Sequence, residues 1–248
     1  MNESAIRRLL LINPNTTVAV TQRLTTFLQE ALPGSVRLDA VTASFGASYI
    51  ACEASYAVAA HATLDAWAQY LASSPAPDGV LIGCFGDPGL FALRQSSAFP
   101  VTGLAEAAFM EASVSGDFAV VTGGQHWKPI LMRLAQNLGF ADRLKHIEIV
   151  LPTGAQLMAD PDMALDCLGT ACAAATAQGV QAIIIGGAGL AGYAQRLQAR
   201  VDVPLIDSAA AGLRVLLAAG LPAPGAARNG FEARWSTISA SMKALQSN

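Results

Sequence analysis

The chain has 248 residues, of which 53% are hydrophobic and 13% charged, with a formal net charge of −3. This composition excludes a disordered protein. Because the chain has no surplus of basic residues, we expect no nucleic-acid partner. No apolar run reaches the roughly 20 residues of a membrane-spanning helix, and the first residues do not resemble a signal peptide. We therefore expect a cytoplasmic protein with no membrane partner.

The first half of the chain alternates short apolar runs with segments of helical spacing. Strands are predicted at 9–12, 36–40, 80–83 and 100–102, and helices at 17–30, 55–72 and 105–113. Asn15 or Thr16 is the expected N-cap of the first helix, since both residue types accept hydrogen bonds from free helical amides.

The second half shows the same alternation. Strands are predicted at 118–121, 147–150, 182–185 and 204–206, and helices at 127–138 and 161–177. Asp160 should cap the second of these helices, with Pro161 in its first turn. A last helix over 233–245 is expected to pack back on the first half.

An internal repeat relates the two halves. Residues 80–90, which contain Cys84, have a counterpart at 183–190, and Gly187 stands 103 positions after Cys84. Alternating strands and helices predict an α/β fold with parallel sheets. We expect two similar Rossmann-like subdomains, each with a mainly parallel four-stranded sheet, related by a pseudo-twofold axis and with the active site between them. The first comprises residues 1–115 plus about 208–248, and the second residues 116–207.

Ligands of parallel sheets bind beyond the carboxyl ends of the strands, where this chain carries its unusual loops. Glycine lets the backbone approach a ligand, and Asn and Thr add hydrogen bonds, so these loops suit a small molecule with a carboxylate or ring carbonyl. The predicted binding residues are Asn13, Pro14, Asn15, Gly83, Phe85, Thr122, Gly123, Gly186, Gly187 and Ala188. Tyr49 and Tyr56 could equally line this cleft or pack elsewhere.

Cys84 is the candidate catalytic residue. A thiol beside free amides or a helix N-terminus loses its proton more easily, so this position predicts a general base or nucleophile. The alternative is a small buried residue behind a strand, although the surrounding turn residues favour a functional loop. Cys167 and Cys172 are expected to be packing residues, because no second pair of ligands stands near them for zinc. We expect no metal.

Four segments together resemble the aspartate/glutamate/hydantoin racemase superfamily, and most of all its hydantoin and allantoin racemase branch. They are residues 12–16 (Ile-Asn-Pro-Asn-Thr), 83–90 (Gly-Cys-Phe-Gly-Asp-Pro-Gly-Leu), 103–107 (Gly-Leu-Ala-Glu-Ala) and 185–189 (Ile-Gly-Gly-Ala-Gly). The resemblance implies a cofactor-independent isomerase, a racemase of hydantoin-like or amino-acid-like substrates, which forms homo-oligomers. In that family two cysteines transfer protons on opposite faces of a carbon next to a carbonyl, through an enolate. Cys84 matches the first.

The chain departs from this family at the second cysteine, which falls on Gly187. His126, Thr122 or a bound water could serve the far face. Alternatively a single thiol suffices, as in arylmalonate decarboxylases of the same superfamily, or the protein is a catalytically silent binder of small molecules. Residues 187–192 also imitate a dinucleotide fingerprint, but too few residues remain after Asp207 for the further strands it requires. No cofactor is expected.

Overall fold

The computed structural model describes residues 6–220, 236 and 238–244. In this part of the chain the strands form two four-stranded sheets, and all strand pairs are parallel. The prediction of an α/β fold with two similar halves is confirmed. None of the helices described is both long and apolar enough to cross a membrane.

The first half contains four strands and four helices. The strands are β1 (Arg7–Asn13), β2 (Val36–Thr42), β3 (Gly79–Ile82) and β4 (Val101–Gly103), and the helices are α1 (Val18–Gln29), α2 (Glu53–Ser73), α3 (Leu90–Ser96) and α4 (Leu104–Ser115). Helix α3 is absent from the sequence-based prediction, because its seven residues are too few to show a clear helical period.

The second half repeats this plan with additional short helices. Its strands are β5 (Phe118–Gly123), β6 (Leu144–Val150), β7 (Ala182–Gly186) and β8 (Leu205–Asp207); its helices are α5 (Trp127–Asn137), α6 (Gly154–Ala159), α7 (Pro161–Thr176), α8 (Tyr193–Leu197) and α9 (Ser208–Ala218). Helix α10 (Ala240–Ala244) follows. Short 3₁₀ turns occupy Ala188–Leu190 and Gln198–Arg200.

Two helix starts test the predicted caps. The Asp160 side chain accepts a hydrogen bond from the Met163 amide at 3.0 Å, as predicted for the start of α7. The prediction for α1 is wrong, because the N-cap is Thr17. Asn15 instead accepts a hydrogen bond from the Thr17 amide at 2.9 Å, within the loop before the helix.

The strand order is the same in both sheets. It is β2-β1-β3-β4 in the first and β6-β5-β7-β8 in the second. The central strands β1 and β3 therefore correspond to β5 and β7, and the loops that follow these strands leave equivalent positions of the two sheets. This repeated order explains the similarity between the Cys84 loop and the Gly187 loop.

A shared hydrophobic core joins the sheets. Alternate residues of a strand point to opposite faces: Leu9 and Leu11 of β1 belong to the shared core, whereas Leu10 and Ile12 pack against α2 on the outer face. Helices α4 and α9 pack on each other and contact strands of both sheets. The two halves are consequently one packed unit, with α4 and α9 between the sheets.

The assignment of about 208–248 to the first half stays a prediction. Helix α9 packs on β3 and β4 but also on β7 and β8 of the second half, whereas α10 packs on α2. Of the predicted last helix over 233–245, residues 233–235, 237 and 245 lie outside the described residues, as do residues 221–232. Within the described residues of this segment, the helix covers Ala240–Ala244.

Gly212 tests how tightly α9 packs on the first sheet. A Cβ at this position would lie 2.6 Å from Cδ1 of the buried Leu81. Gly212→Ala should therefore lower the free energy of unfolding by about 1–2 kcal/mol through overpacking. Chemical denaturation followed by circular dichroism measures the change.

Gly169→Ala is the matched control, since it also places alanine in a helix interior. Its Cβ would meet the nearest atom, Leu197 Cδ2, at an ordinary 3.6 Å. This variant should gain up to about 1 kcal/mol from helix propensity. Equal stabilisation by both substitutions would contradict the tight contact at Gly212.

Candidate active site

A cavity of about 100 Å³ lies at the carboxyl ends of the strands, between loops of the two halves. Its wall combines loops that follow β1, β2 and β3 with loops that follow β5, β6 and β7. The first half contributes Asn15, Thr17, Val20, Ser48, Tyr49, Ile50, Gly83, Cys84 and Phe85. The second half contributes Thr122, Gly123, Trp127, Gly154, Met158, Gly186, Gly187, Ala188, Gly189 and Leu190.

Most of the predicted site residues meet in this wall. The structure brings together Cys84 with Asn15, Gly83, Phe85, Thr122, Gly123, Gly186, Gly187 and Ala188. Three other predicted residues, Asn13, Pro14 and His126, are not among the lining residues.

Asn13 organises the first loop from a buried position. Its Nδ2 donates hydrogen bonds to Asn15 Oδ1 at 3.0 Å and to Thr21 Oγ1 at 2.9 Å. Its Oδ1 accepts a hydrogen bond from the Asn15 amide at 3.2 Å. Because both ends of the Asn13 amide are used, it fixes the loop, and Asn15 is the residue presented to the cavity. Pro14 between them is buried.

His126 lies outside the cavity. It is exposed at the start of α5, and its Nε2 is 3.3 Å from Nε2 of Gln125. A side chain so placed does not face the ligand space. The predicted alternative of His126 as second acid or base therefore gains no support from its position.

The Cys84 thiol is buried at the cavity, with 7% of the residue exposed. Burial raises the pKa of this thiol above its ordinary value, and the negative charge of Asp87 raises it further. The expectation that the loop lowers this pKa is wrong, because desolvation disfavours the thiolate. In the free protein at neutral pH, Cys84 is a protonated thiol.

The residues after Cys84 pack against the second half. A Cβ at Gly186 would lie 2.2 Å from Cε1 of Phe85, so the Phe85 ring occupies the space above the end of β7. A Cβ at Gly86 would similarly lie 2.5 Å from the Trp127 ring. Tyr56 Oη donates a hydrogen bond of 2.8 Å to the Gly86 carbonyl. These contacts hold the loop against β7 and α5.

Asp87 fixes the other side of the same loop. Its carboxylate accepts hydrogen bonds from the amides of Ala105 at 2.9 Å and Glu106 at 2.7 Å, at the N-terminus of α4. Its backbone has a φ of +54°, which is uncommon for a residue with a side chain. Gly103 leaves room for the carboxylate, since a Cβ there would lie 2.1 Å from Asp87 Cγ.

Two backbone amides of the loop are available to a ligand. Within the described residues, the N–H groups of Cys84 and Phe85 donate no hydrogen bond to a protein acceptor. Both residues line the cavity. Paired amides of this kind stabilise negative charge that develops on a carbonyl oxygen.

Gly187 faces the cavity from the second half in a conformation that suits glycine. Its φ is +149°, and a Cβ would lie 3.2 Å from Leu190 Cγ. Its amide donates a hydrogen bond of 3.4 Å to Ser208 Oγ. The backbone there offers no side chain for proton transfer, and a cysteine would be strained.

Sequence reasoning missed the parts of the wall that come from less conspicuous loops. Ser48 and Ile50, after β2, and Gly154 and Met158, after β6, carry no motif. Tyr49 was ambiguous from the sequence, and the structure places it in the wall. An aromatic residue with a polar end in the segment after a strand is the signal that could have found this loop.

The described residues contain no group of three or more His, Cys, Asp or Glu side chains arranged to hold a metal ion. Cys167 and Cys172 lie on α7, away from the cavity wall. Cys172 is fully buried, and burial raises its pKa to about 12. The interpretation of Cys172 as a packing residue agrees with this position.

Comparisons with known proteins give consistent findings. A family model described as Asp/Glu/hydantoin racemase matches residues 9–216. A hydantoin racemase from Paenarthrobacter aurescens is 31% identical over 210 residues, which cover 84% of this chain and 89% of the relative.

Solved structures extend the similarity to the fold. An allantoin racemase from Klebsiella pneumoniae has a TM-score of 0.83 and 27% identity, covering 96% of this chain and 98% of that chain. A double mutant of arylmalonate decarboxylase has a TM-score of 0.63 and 17% identity, covering 90% of this chain and 96% of that chain. The second likeness concerns the fold alone.

Asp87 gives a test through the pH dependence of stability. Burial raises the pKa of its carboxyl to about 7, and the nearby Glu106 adds to the rise, although the backbone amides oppose it. In the unfolded chain the carboxyl ionises near its ordinary value of about 4. Between about pH 4 and pH 7, the folded state therefore binds more protons, and this contribution to stability falls as the pH rises.

We expect wild type to lose stability relative to Asp87→Asn across that window, by at most about 1.4 kcal/mol per pH unit. Above the folded pKa the difference should stay constant. Denaturant unfolding of both proteins over the pH range measures it, because shared titrations cancel in the difference. A difference that does not change between about pH 4 and pH 7 would contradict the raised carboxyl pKa.

Proposed function

Because this chain belongs to the Asp/Glu/hydantoin racemase family, we propose that it racemises a neutral, hydantoin-like substrate at the carbon next to a ring carbonyl. Membership makes it an isomerase that acts on a small molecule. The substrate and the role of Cys84 are the proposal. The observation that carries it is a buried thiol in a cavity whose described side chains carry no formal charge.

The uncharged wall favours a neutral ring over a free amino acid. Among the described lining residues there is no Lys, Arg, His, Asp or Glu. A buried ligand carboxylate would lack a cationic partner, and an unpaired buried charge is costly. The hydantoin ring carries its carbonyls and N–H groups without net charge, so amides and hydroxyls suffice to bind it.

Polar groups at the cavity suit such a ring. Asn15 offers a side-chain amide, and Thr122 offers a hydroxyl. The free amides of Cys84 and Phe85 can hold a ring carbonyl, and their hydrogen bonds strengthen when that oxygen becomes an enolate oxygen. The apolar side chains of Val20, Ile50 and other lining residues exclude water from the reacting carbon.

The thiol of Cys84 is the proposed acid/base on one face of the ring. Its raised pKa makes the thiol a proton donor to the enolate, and the thiolate takes a proton in the reverse direction. Proton transfer is the only covalent change at the carbon. The chemistry needs no electron acceptor, which agrees with the expected cofactor-independent reaction.

Decarboxylation by a single thiol is the competing function. Gly187 supports it, since the second-half loop has no side chain at the position of the second cysteine. A substituted malonate, however, would place two carboxylates in a cavity where the described lining residues include no cation. We therefore favour racemisation, and carbon dioxide release serves as an outcome of the test.

Cys84→Ser tests the proposed acid/base. A hydroxyl is a far weaker acid than a thiol, so racemisation of a 5-substituted hydantoin should fall by about 10²- to 10⁴-fold. Polarimetry follows the loss of optical rotation, and mass spectrometry follows incorporation of deuterium from D₂O.

Cys52→Ser is the matched control. Cys52 is exposed at the N-cap of α2, a position that serine fills well, and this variant should racemise like wild type. Unchanged turnover in Cys84→Ser would remove Cys84 from the mechanism. Carbon dioxide release from an arylmalonate without hydantoin racemisation would instead identify a decarboxylase, and inertness with all substrates a silent binder.

A further inference from the structure

Among the described residues that line the cavity, Cys84 is the one cysteine and Tyr49 the one tyrosine. We propose that Tyr49 is the second acid/base of this site, on the face opposite Cys84. The inference rests on the proposed function, since it assigns the group that completes racemisation.

The second acid/base must be a lining side chain that can release and take up a proton. Cys84 and Tyr49 are the described lining residues whose side chains carry an acidic proton, on a thiol and on a phenol. The other polar lining side chains, such as Thr122, are aliphatic hydroxyls, an amide or an indole. These groups bind a ligand but do not exchange a proton readily with carbon.

Tyr49 reaches the cavity from the second half's side. It belongs to the segment between β2 and α2, yet its Oη accepts a hydrogen bond from the Gly154 amide at 3.3 Å. A Cβ at Gly124 would lie 3.0 Å from the same oxygen. The hydroxyl therefore lies against loops that follow β5 and β6, whereas Cys84 follows β3. A flat ring bound between the halves meets the two groups on different faces.

The hydrogen-bond direction leaves the phenol proton available. Since the Gly154 amide donates to Oη, the Tyr49 proton is not used in that bond. Within the described part of the chain, Tyr49 Oη donates to no protein acceptor. The same amide remains a donor to the oxygen after the proton has left. The hydrogen bond from Gly154 thus holds the Tyr49 hydroxyl in place and leaves its proton free for transfer.

The proton balance closes with these two groups. In the active form of the site, one of the two groups, the Cys84 thiol or the Tyr49 phenol, carries its proton and the other is ionised. The ionised group takes the α-hydrogen as a proton, and the electrons of the C–H bond form the enolate. The protonated group then delivers its proton to the opposite face, and the reverse reaction starts with the two roles exchanged.

The rate at which each enantiomer exchanges its α-hydrogen for deuterium distinguishes the two faces. The probe is 5-isopropylhydantoin, each enantiomer being incubated in D₂O at neutral pH with the uncatalysed exchange subtracted. Tyr49→Phe should lose exchange from one enantiomer by about 10²-fold or more and retain it from the other. Cys84→Ser should give the mirror result, losing exchange from the enantiomer that Tyr49→Phe retains. Each variant alone should lose racemisation.

Tyr70→Phe is the matched control, since it also removes one phenol hydroxyl, but from a residue that does not line the cavity. Tyr70 Oη donates a hydrogen bond of 2.7 Å to Asp39 Oδ2. In this variant both enantiomers should exchange their α-hydrogen in the same ratio as in wild type, because both proton-transfer groups remain.

The outcomes distinguish this inference from the proposed function. If wild type exchanges neither enantiomer, the proposed function fails. If wild type racemises and Tyr49→Phe exchanges both enantiomers at wild-type rates, Tyr49 is not the acid/base and the proposed function stands. Loss of both exchanges in a folded Tyr49→Phe protein would also overturn the assignment, since a group on one face does not remove the proton from the other.

Discussion

The contact between the Phe85 ring and Gly186 is the constraint on which the site depends. The ring fills the space that any side chain at position 186 would occupy, so the Cys84 loop of one half lies directly on the central strand of the other. Trp127 covers Gly86 in the same way. These contacts bring the thiol of one half and the backbone of the other to one small cavity, and the core shared through α4 and α9 holds the sheets at that separation.

Burial determines the chemistry of the groups that this packing brings together. Asp87 ties the loop to the N-terminus of α4, yet its charge lies in a fully buried place and so raises the pKa of the Cys84 thiol. A neutral thiol beside free amides suits a substrate that gains charge only while it reacts. The loop is consequently anchored by a carboxyl on one side and open to a ligand carbonyl on the other.

Much of the fold and the Cys84 side of the site could be predicted from the sequence. The alternation of strands and helices and the repeat of residues 80–90 at 183–190 encode two parallel sheets with matching loops. Tyr49 could not be assigned, because its place depends on how a loop of one half crosses to Gly154 of the other. His126 was misplaced for a similar reason, since turn geometry decides which residues of a loop face inward. The acidity of Cys84 was misjudged because it depends on burial, which spacing does not reveal.

The conformation of Gly187 has a consequence for how such a site can change. Because of its positive φ and the nearby Leu190 side chain, position 187 accommodates glycine, whereas a residue with a Cβ would be strained there. A cysteine here would have to adopt a backbone conformation that residues with a side chain rarely take, and Leu190 would have to shift by a few tenths of an ångström. A second thiol at this position would therefore come at a cost in folding stability.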